Sequence, residues 1–119
     1  LFRSMGYANV IWQGDANARA IQCLERTASP AVALNVTGLE RVSIRELALA
    51  FGQRLGRTVE ITGQESEAAW LFDASLSYEW FGTPRVTQEE MLEATAAWVL
   101  AGGGTLGKPT HFEVRDGAF

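Results

Sequence analysis

The chain has few of the residues that usually carry catalysis or covalent cross-links. Its 119 residues include one cysteine (Cys23), one histidine (His111) and one lysine (Lys108). A lone cysteine cannot form an internal disulfide, which favours a reducing compartment, and we expect a cytoplasmic protein. Cys23 falls inside a predicted helix, and His111 has no partner that would orient it. We therefore interpret both as packing or surface residues, and we identify no catalytic residue and no metal ligand.

Two further features are missing, and each excludes a class of partner. The arginines are scattered and the formal net charge is −4, so there is no basic stripe to neutralise nucleic-acid phosphates. No apolar run approaches the roughly 20 residues that span a bilayer, and no secretory signal pattern is visible. We expect binding neither to nucleic acid nor to a membrane.

The composition that is present predicts one folded domain over residues 1–119. Apolar residues make up 47% of the chain and aromatic residues 10%, which argues against disorder. A compact chain of this length buries roughly 65% of its unfolded surface. The sequence starts at Leu1 without an initiator methionine, which favours a piece taken from a longer protein, although removal of a tag would also explain it.

Apolar spacing and capping residues predict at least three helices and several short strands, an α/β fold. Two capping boxes start helices, Ser43 with Glu46 and Thr87 with Glu90. Asp15 is interpreted as an N-cap, and Asp73 is a second candidate cap that would divide one helix into two pieces. The predicted helices cover 16–27, 43–55, 67–81 and 87–101. The predicted strands cover 9–12, 31–37 and 58–62, with 112–114 also extended.

Four segments, in this order and spacing, carry a family resemblance. They are Val10-Ile11-Trp12-Gln13-Gly14-Asp15, Leu34-Asn35-Val36-Thr37-Gly38, Ser43-Ile44-Arg45-Glu46-Leu47, and the run from Asp73 through Gly82 and Pro84 to Glu93. Together they resemble the C-terminal portion of the extended short-chain dehydrogenase/reductases, the NAD(P)-dependent epimerase/dehydratase family.

The resemblance implies the substrate-binding and domain-packing part of an oxidoreductase of this kind. In that family an N-terminal Rossmann domain binds NAD or NADP, and a Tyr-x-x-x-Lys pair does the chemistry. This sequence has no glycine-rich dinucleotide turn, and neither Tyr7 nor Tyr78 is followed by Lys four residues on. We expect the chain to hold no cofactor and to be inactive alone. Its expected partners are the Rossmann domain, a small-molecule substrate and, through exposed apolar surface, copies of itself.

Two departures from the family concern the substrate. Many nucleotide-sugar epimerases carry an Arg near the positions of Ala8 and of 62–65, and neither place has one here. Without these bidentate phosphate contacts a nucleotide-sugar substrate is doubtful. The family's Lys after the Asp73 motif is also replaced, by Leu76.

Four residues are candidates for substrate contact: Trp12, Asn35, Glu65 and Trp70. Each has a structural alternative, since tryptophans are commonly core or interface anchors, Asn35 suits a turn, and Glu65 suits a solvated loop. A second class of function also stays open. The acidic, aromatic-containing chain could be a free-standing protein-interaction or ligand-binding module with no catalysis.

Overall fold

The computed structural model of the protein describes residues 6–63, 69 and 71–108. These residues form four α-helices, one 3₁₀ turn and a two-stranded antiparallel sheet. The helices are α1 (Gln13–Gln22), α2 (Ile44–Leu55), α3 (Ser75–Phe81) and α4 (Gln88–Leu100), with the 3₁₀ turn at Cys23–Arg26. The strands are β1 (Tyr7–Ala8) and β2 (Val42–Ser43). The mixed α/β class and the prediction of at least three helices are confirmed.

The two helices with predicted capping boxes form where their caps place them. The Ser43 hydroxyl accepts the Glu46 backbone N–H at 3.2 Å, and α2 ends at Gly56 with φ of 60°. A positive φ carries little strain only where there is no Cβ, which explains why a glycine ends this helix. At α4 both halves of the box are present, because Thr87 and Glu90 each bond the other's backbone N–H.

Helix α1 begins earlier than predicted, and Asp15 is not its cap. The helix starts at Gln13, so Asp15 lies inside the first turn and its carboxylate points to another part of the chain. The packing of α1 also differs from the usual amphipathic arrangement, because its charged residues Asp15 and Arg19 are buried. Ile21 and Leu24, from the apolar set expected to mark its packed face, are 68% and 72% exposed.

The predicted helix over 67–81 is wrong in its first part, and of the two helical pieces that a division at Asp73 would give, only the second is formed among the described residues. Residues 69 and 71–74 are not helical, and α3 begins only at Ser75. The Asp73 carboxylate accepts the Ser75 N–H at 2.9 Å and the Ser75 hydroxyl as well. These bonds lower the pKa of Asp73, the hydroxyl having the larger effect.

The predicted strands are not formed as strands within the described part of the chain. No strand pairing forms at residues 31–37, 58–62 or 9–12. Among the described residues, strand pairing is confined to β1 with β2. A strand needs a neighbour to accept its backbone bonds, and the local sequence cannot supply one. The predicted extended stretch at 112–114 lies outside the described residues.

The core is small and lies where α2 packs against α4 and β2. Among the described residues the fully buried apolar side chains are Val42, Ala74, Leu92 and Ala96. Across the α2–α4 contact, Arg54 Nε donates to Glu93 at 2.6 Å and Arg54 also pairs with Glu89. In the part of the chain the structure describes, no helix has the length and apolar character needed to cross a membrane.

Gly38 marks the closest approach between two segments of the fold. A Cβ at this position would overlap the carbonyl oxygen of Val10, so the turn that follows residues 31–37 can lie on the segment before α1 only because residue 38 has no side chain. This crossing brings the loop before β2 beside the start of α1.

We expect Gly38→Ala to destabilise the fold by about 1–3 kcal/mol, because the added methyl group must push two backbones apart. Gly104→Ala is the matched control, since a Cβ there would meet open space. It should change the free energy of unfolding by less than about 0.5 kcal/mol in urea titrations. Equal stability of the two variants would contradict the close crossing at Val10.

Candidate functional site

The buried face of α1 carries two opposite charges one turn apart. Asp15 and Arg19 are four residues apart, so their side chains leave the helix on the same side. They are only 9% and 8% exposed. Both reach the α3–α4 connection, defined here as residues 82–87, rather than solvent.

Arg19 binds the carbonyl groups at the end of α3. Its Nη1 donates to Phe81 O at 2.7 Å and to Gln22 Oε1 at 2.8 Å, and its Nη2 donates to Gly82 O at 3.0 Å and Thr83 O at 2.9 Å. The last carbonyl groups of a helix have no partner within it and carry partial negative charge. A guanidinium with donors in a fixed fork satisfies three of these oxygens at once.

Asp15 binds the N–H groups that follow. Its Oδ2 accepts from Arg85 N and from Val86 N, each at 2.9 Å. Pro84, between the two sets of contacts, has no N–H to satisfy. The next N–H, of Thr87, donates to Glu90 Oε2 at 2.8 Å. The connection is therefore fixed from both ends by side chains of opposite charge.

A groove of about 180 Å³ lies beside this connection, and we call it the α4 groove. One wall is Val10 and Ile11 from the segment before α1, and another is Leu39 and Val42 from the loop crossing at Gly38 and from β2. The α3–α4 connection and the first turn of α4 complete it with Pro84, Val86 and Met91 among others. Its surface is mostly apolar side chains, as ligand pockets commonly are.

The groove lies at the start of α4, where three backbone N–H groups just before the helix are already bonded to carboxylates. A helix N-terminus ordinarily binds anions through its unpaired N–H groups. Here the N–H groups of Arg85 and Val86 are taken by Asp15, and that of Thr87 is taken by Glu90. Glu40 is the only charged residue among those that line the groove in the described part of the chain.

The pKa of Glu90 is held below its ordinary value of 4.5, first by the Thr87 N–H and then by the Thr87 hydroxyl. Both groups donate to the ionised carboxylate and so favour it over the protonated form. Glu90 is therefore a carboxylate at neutral pH, beside the mouth of the α4 groove. A negative charge at this place disfavours an anionic ligand.

Side-chain bonds to backbone hold the extended segments beside α3. Asn9 pairs with the backbone of Phe72 in both directions, at 2.9 Å from its amide nitrogen and 3.2 Å to its oxygen. The Tyr78 hydroxyl donates to Thr37 O at 2.7 Å. Burial and then the Asp73 charge raise the pKa of Tyr78, so its hydroxyl keeps the proton that it donates.

The two predicted substrate contacts that the structure describes, Trp12 and Asn35, do not line the α4 groove. Trp12 is 41% exposed and lies over the first turn of α1, where a Cβ on Gly14 would meet its indole nitrogen at 2.9 Å. The Asn35 amide donates to Asp73 O at 2.9 Å. Glu65 and Trp70 lie outside the described residues. Substrate contact by these four residues stays a prediction.

Arg19 and Glu40 were not singled out from the sequence. The signal for Arg19 was present, because an acid and a base four residues apart share one helix face. Such pairs are usually solvent-exposed, however, and nothing local indicates that this one is buried. Within residues 6–63, 69 and 71–108, no cluster of three or more His, Cys, Asp or Glu side chains is placed to hold a metal ion.

We expect Arg19→Met to lower the free energy of unfolding by about 1–3 kcal/mol, since three carbonyl groups lose a charged donor. Methionine keeps most of the side-chain length, so the loss reports the bonds more than the packing. Arg57→Met removes an exposed arginine and should cost less than about 0.5 kcal/mol. Equal urea midpoints for the two variants would show that the Arg19 contacts contribute little.

The capping box of Thr87 and Glu90 makes the free energy of unfolding depend on pH, and the lowered pKa of Glu90 gives the sign of this dependence. A carboxylate with a lower pKa when folded stabilises the protein above its ordinary pKa, and the effect is lost as pH falls through the folded value. Glu90→Gln should therefore be less stable than wild type at neutral pH, and the gap should close below pH 4.5. Glu79→Gln removes an exposed carboxylate of α3 and should follow the wild-type curve. Parallel curves for wild type and Glu90→Gln in urea unfolding across this range would contradict the assignment.

Comparison with known proteins identifies no relative. The chain matches no protein-family model, and searches of curated proteins and of solved structures return no match.

Proposed function

We propose that this chain is the substrate-binding and domain-packing part of an NAD(P)-dependent epimerase/dehydratase-like oxidoreductase, inactive by itself. The cofactor, NAD or NADP, belongs to a Rossmann domain that packs against it, in a cytoplasmic protein. One observation carries the proposal: a β-prone apolar segment, residues 31–37, lies without a strand partner among the described residues.

The composition of that segment suits a position inside a sheet. A continuous apolar run is typical of a strand covered on both faces, as in a parallel sheet. Here Val32 is 52% exposed, and residues 31–33 are all exposed. An exposed apolar strand with open backbone groups is a template for pairing with another chain or domain.

The exposed face of α1 supports the same conclusion. Ile21 and Leu24 lie three residues apart, on one side of the helix and the 3₁₀ turn, and both are more than two-thirds exposed. The opposite, charged side of α1 is committed to the α3–α4 connection through Asp15 and Arg19. A helix with its polar side buried and its apolar side open is complete only when another surface covers it.

The roles of this chain and of the partner Rossmann domain then follow from the residues that each contains. The chain contributes the α4 groove and the segment before α1, which we assign to substrate contact. The partner domain contributes the dinucleotide site and the proton and hydride chemistry, because this sequence has neither a glycine-rich dinucleotide turn nor the Tyr-x-x-x-Lys pair.

Hydrogen exchange tests the proposal directly. In the 119-residue chain the amides of residues 31–36 should exchange rapidly, because no ladder protects them. In the longer protein, with a dinucleotide-binding domain preceding Leu1, the same amides should become strongly protected. The interior amides of α4 serve as the control, since their bonds lie within the helix and should be protected in both.

Two results would contradict the proposal. Slow exchange of residues 31–36 in a monomeric 119-residue chain would favour the free-standing module. If calorimetry at millimolar NADH showed saturable binding to the 119-residue chain, the dinucleotide site would lie in this chain and not in the partner Rossmann domain. Protection that appears only at high chain concentration would instead assign the open segment to a homo-oligomer.

A further inference from the structure

We propose that the α4 groove binds an uncharged, ring-sized apolar group and rejects anionic groups. The binding itself is a property of the groove; that the bound group belongs to the enzyme's substrate rests on the proposed function. The substrate would then be a small molecule whose group bound in this groove is neither a phosphate nor a carboxylate.

Charge is the first argument. A phosphate or carboxylate needs charged side chains or free N–H groups to replace its water. No Lys or Arg lines the groove in the described part of the chain, and its one charged lining residue is Glu40. The N–H groups of Arg85 and Val86, which would otherwise be available, are taken by the Asp15 carboxylate. An anion would therefore lie beside the Glu40 carboxylate with no Lys or Arg partner among the described lining residues.

Size and surface are the second argument. The groove has a volume of about 180 Å³ and is open to solvent; its volume is close to that of a roughly 150 Å³ enclosed apolar cavity that takes a benzene molecule. Its lining includes the apolar side chains of Val10, Ile11, Leu39, Val42 and Met91. Gln88, also in the lining, has a neutral amide side chain that can hydrogen-bond a hydroxyl on the same ligand.

A substitution at Leu39 can distinguish specific binding in the groove from nonspecific binding to exposed apolar surface. It lines the groove yet is 60% exposed, so a polar replacement should not unfold the protein. Leu24 is a matched control, because it is 72% exposed and does not line the groove. Leu39→Asp and Leu24→Asp make the same chemical change at two exposed leucines.

The test is a titration of the ¹⁵N-labelled 119-residue chain with benzyl alcohol, benzoate and inorganic phosphate, followed by amide chemical shifts. We expect benzyl alcohol to shift the amides of Val10, Gly38 and Thr87 with a dissociation constant on the order of millimolar, which suits so small a ligand. Benzoate, with the same ring, should bind at least tenfold more weakly, and phosphate should leave these amides unchanged. Leu39→Asp should weaken benzyl alcohol binding about tenfold, and Leu24→Asp should leave it as in wild type.

Several outcomes would overturn the inference. Benzoate binding as tightly as benzyl alcohol would show that charge is not excluded, and phosphate-induced shifts at Thr87 would reveal an anion site. Equal losses in the two leucine variants, or no groove shifts at all, would show that the groove does not bind the ring. None of these results bears on the exchange of residues 31–36, so the proposed function can fail or hold independently.

Discussion

The fold depends on the charged pair that α1 presents to the α3–α4 connection. Arg19 binds the carbonyl groups of residues 81–83, and Asp15 binds the N–H groups of Arg85 and Val86. Backbone groups in a connection without regular structure need such partners when water is partly excluded. Residues on one turn of α1 thus bond both the carbonyl and the N–H groups of the connection, between the end of α3 and the capping box that starts α4.

Two consequences follow from this arrangement. It fixes the wall of the α4 groove that contains Pro84 and Val86, so the groove is set by polar contacts outside it rather than by its own apolar lining. It also uses the polar side of α1 internally, which leaves Ile21 and Leu24 exposed. The same interaction thus shapes a small apolar groove on one side of the chain and leaves an apolar surface uncovered on another.

The parts of the structure predicted correctly from the sequence are those that depend on neighbouring residues. The caps at Ser43 and Thr87 and the end of α2 at Gly56 were predictable, because each involves atoms within one helical turn. The strand predicted at 31–37 is not formed, because a strand also requires a distant pairing partner, which a local apolar run does not reveal. Asp15 was misassigned for a related reason: its carboxylate lies near a helix start but bonds residues 70 and 71 positions away.

The central claim is that the α1 charges hold the α3–α4 connection, and amide exchange at Arg85 and Val86 tests it most directly. In the wild-type chain these two amides should be protected although they lie outside any helix, and Asp15→Ala should abolish that protection. The Leu92 amide, inside α4, should stay protected in both proteins while the fold persists. Rapid exchange of Arg85 and Val86 in the wild type, or unchanged protection in Asp15→Ala, would contradict the account.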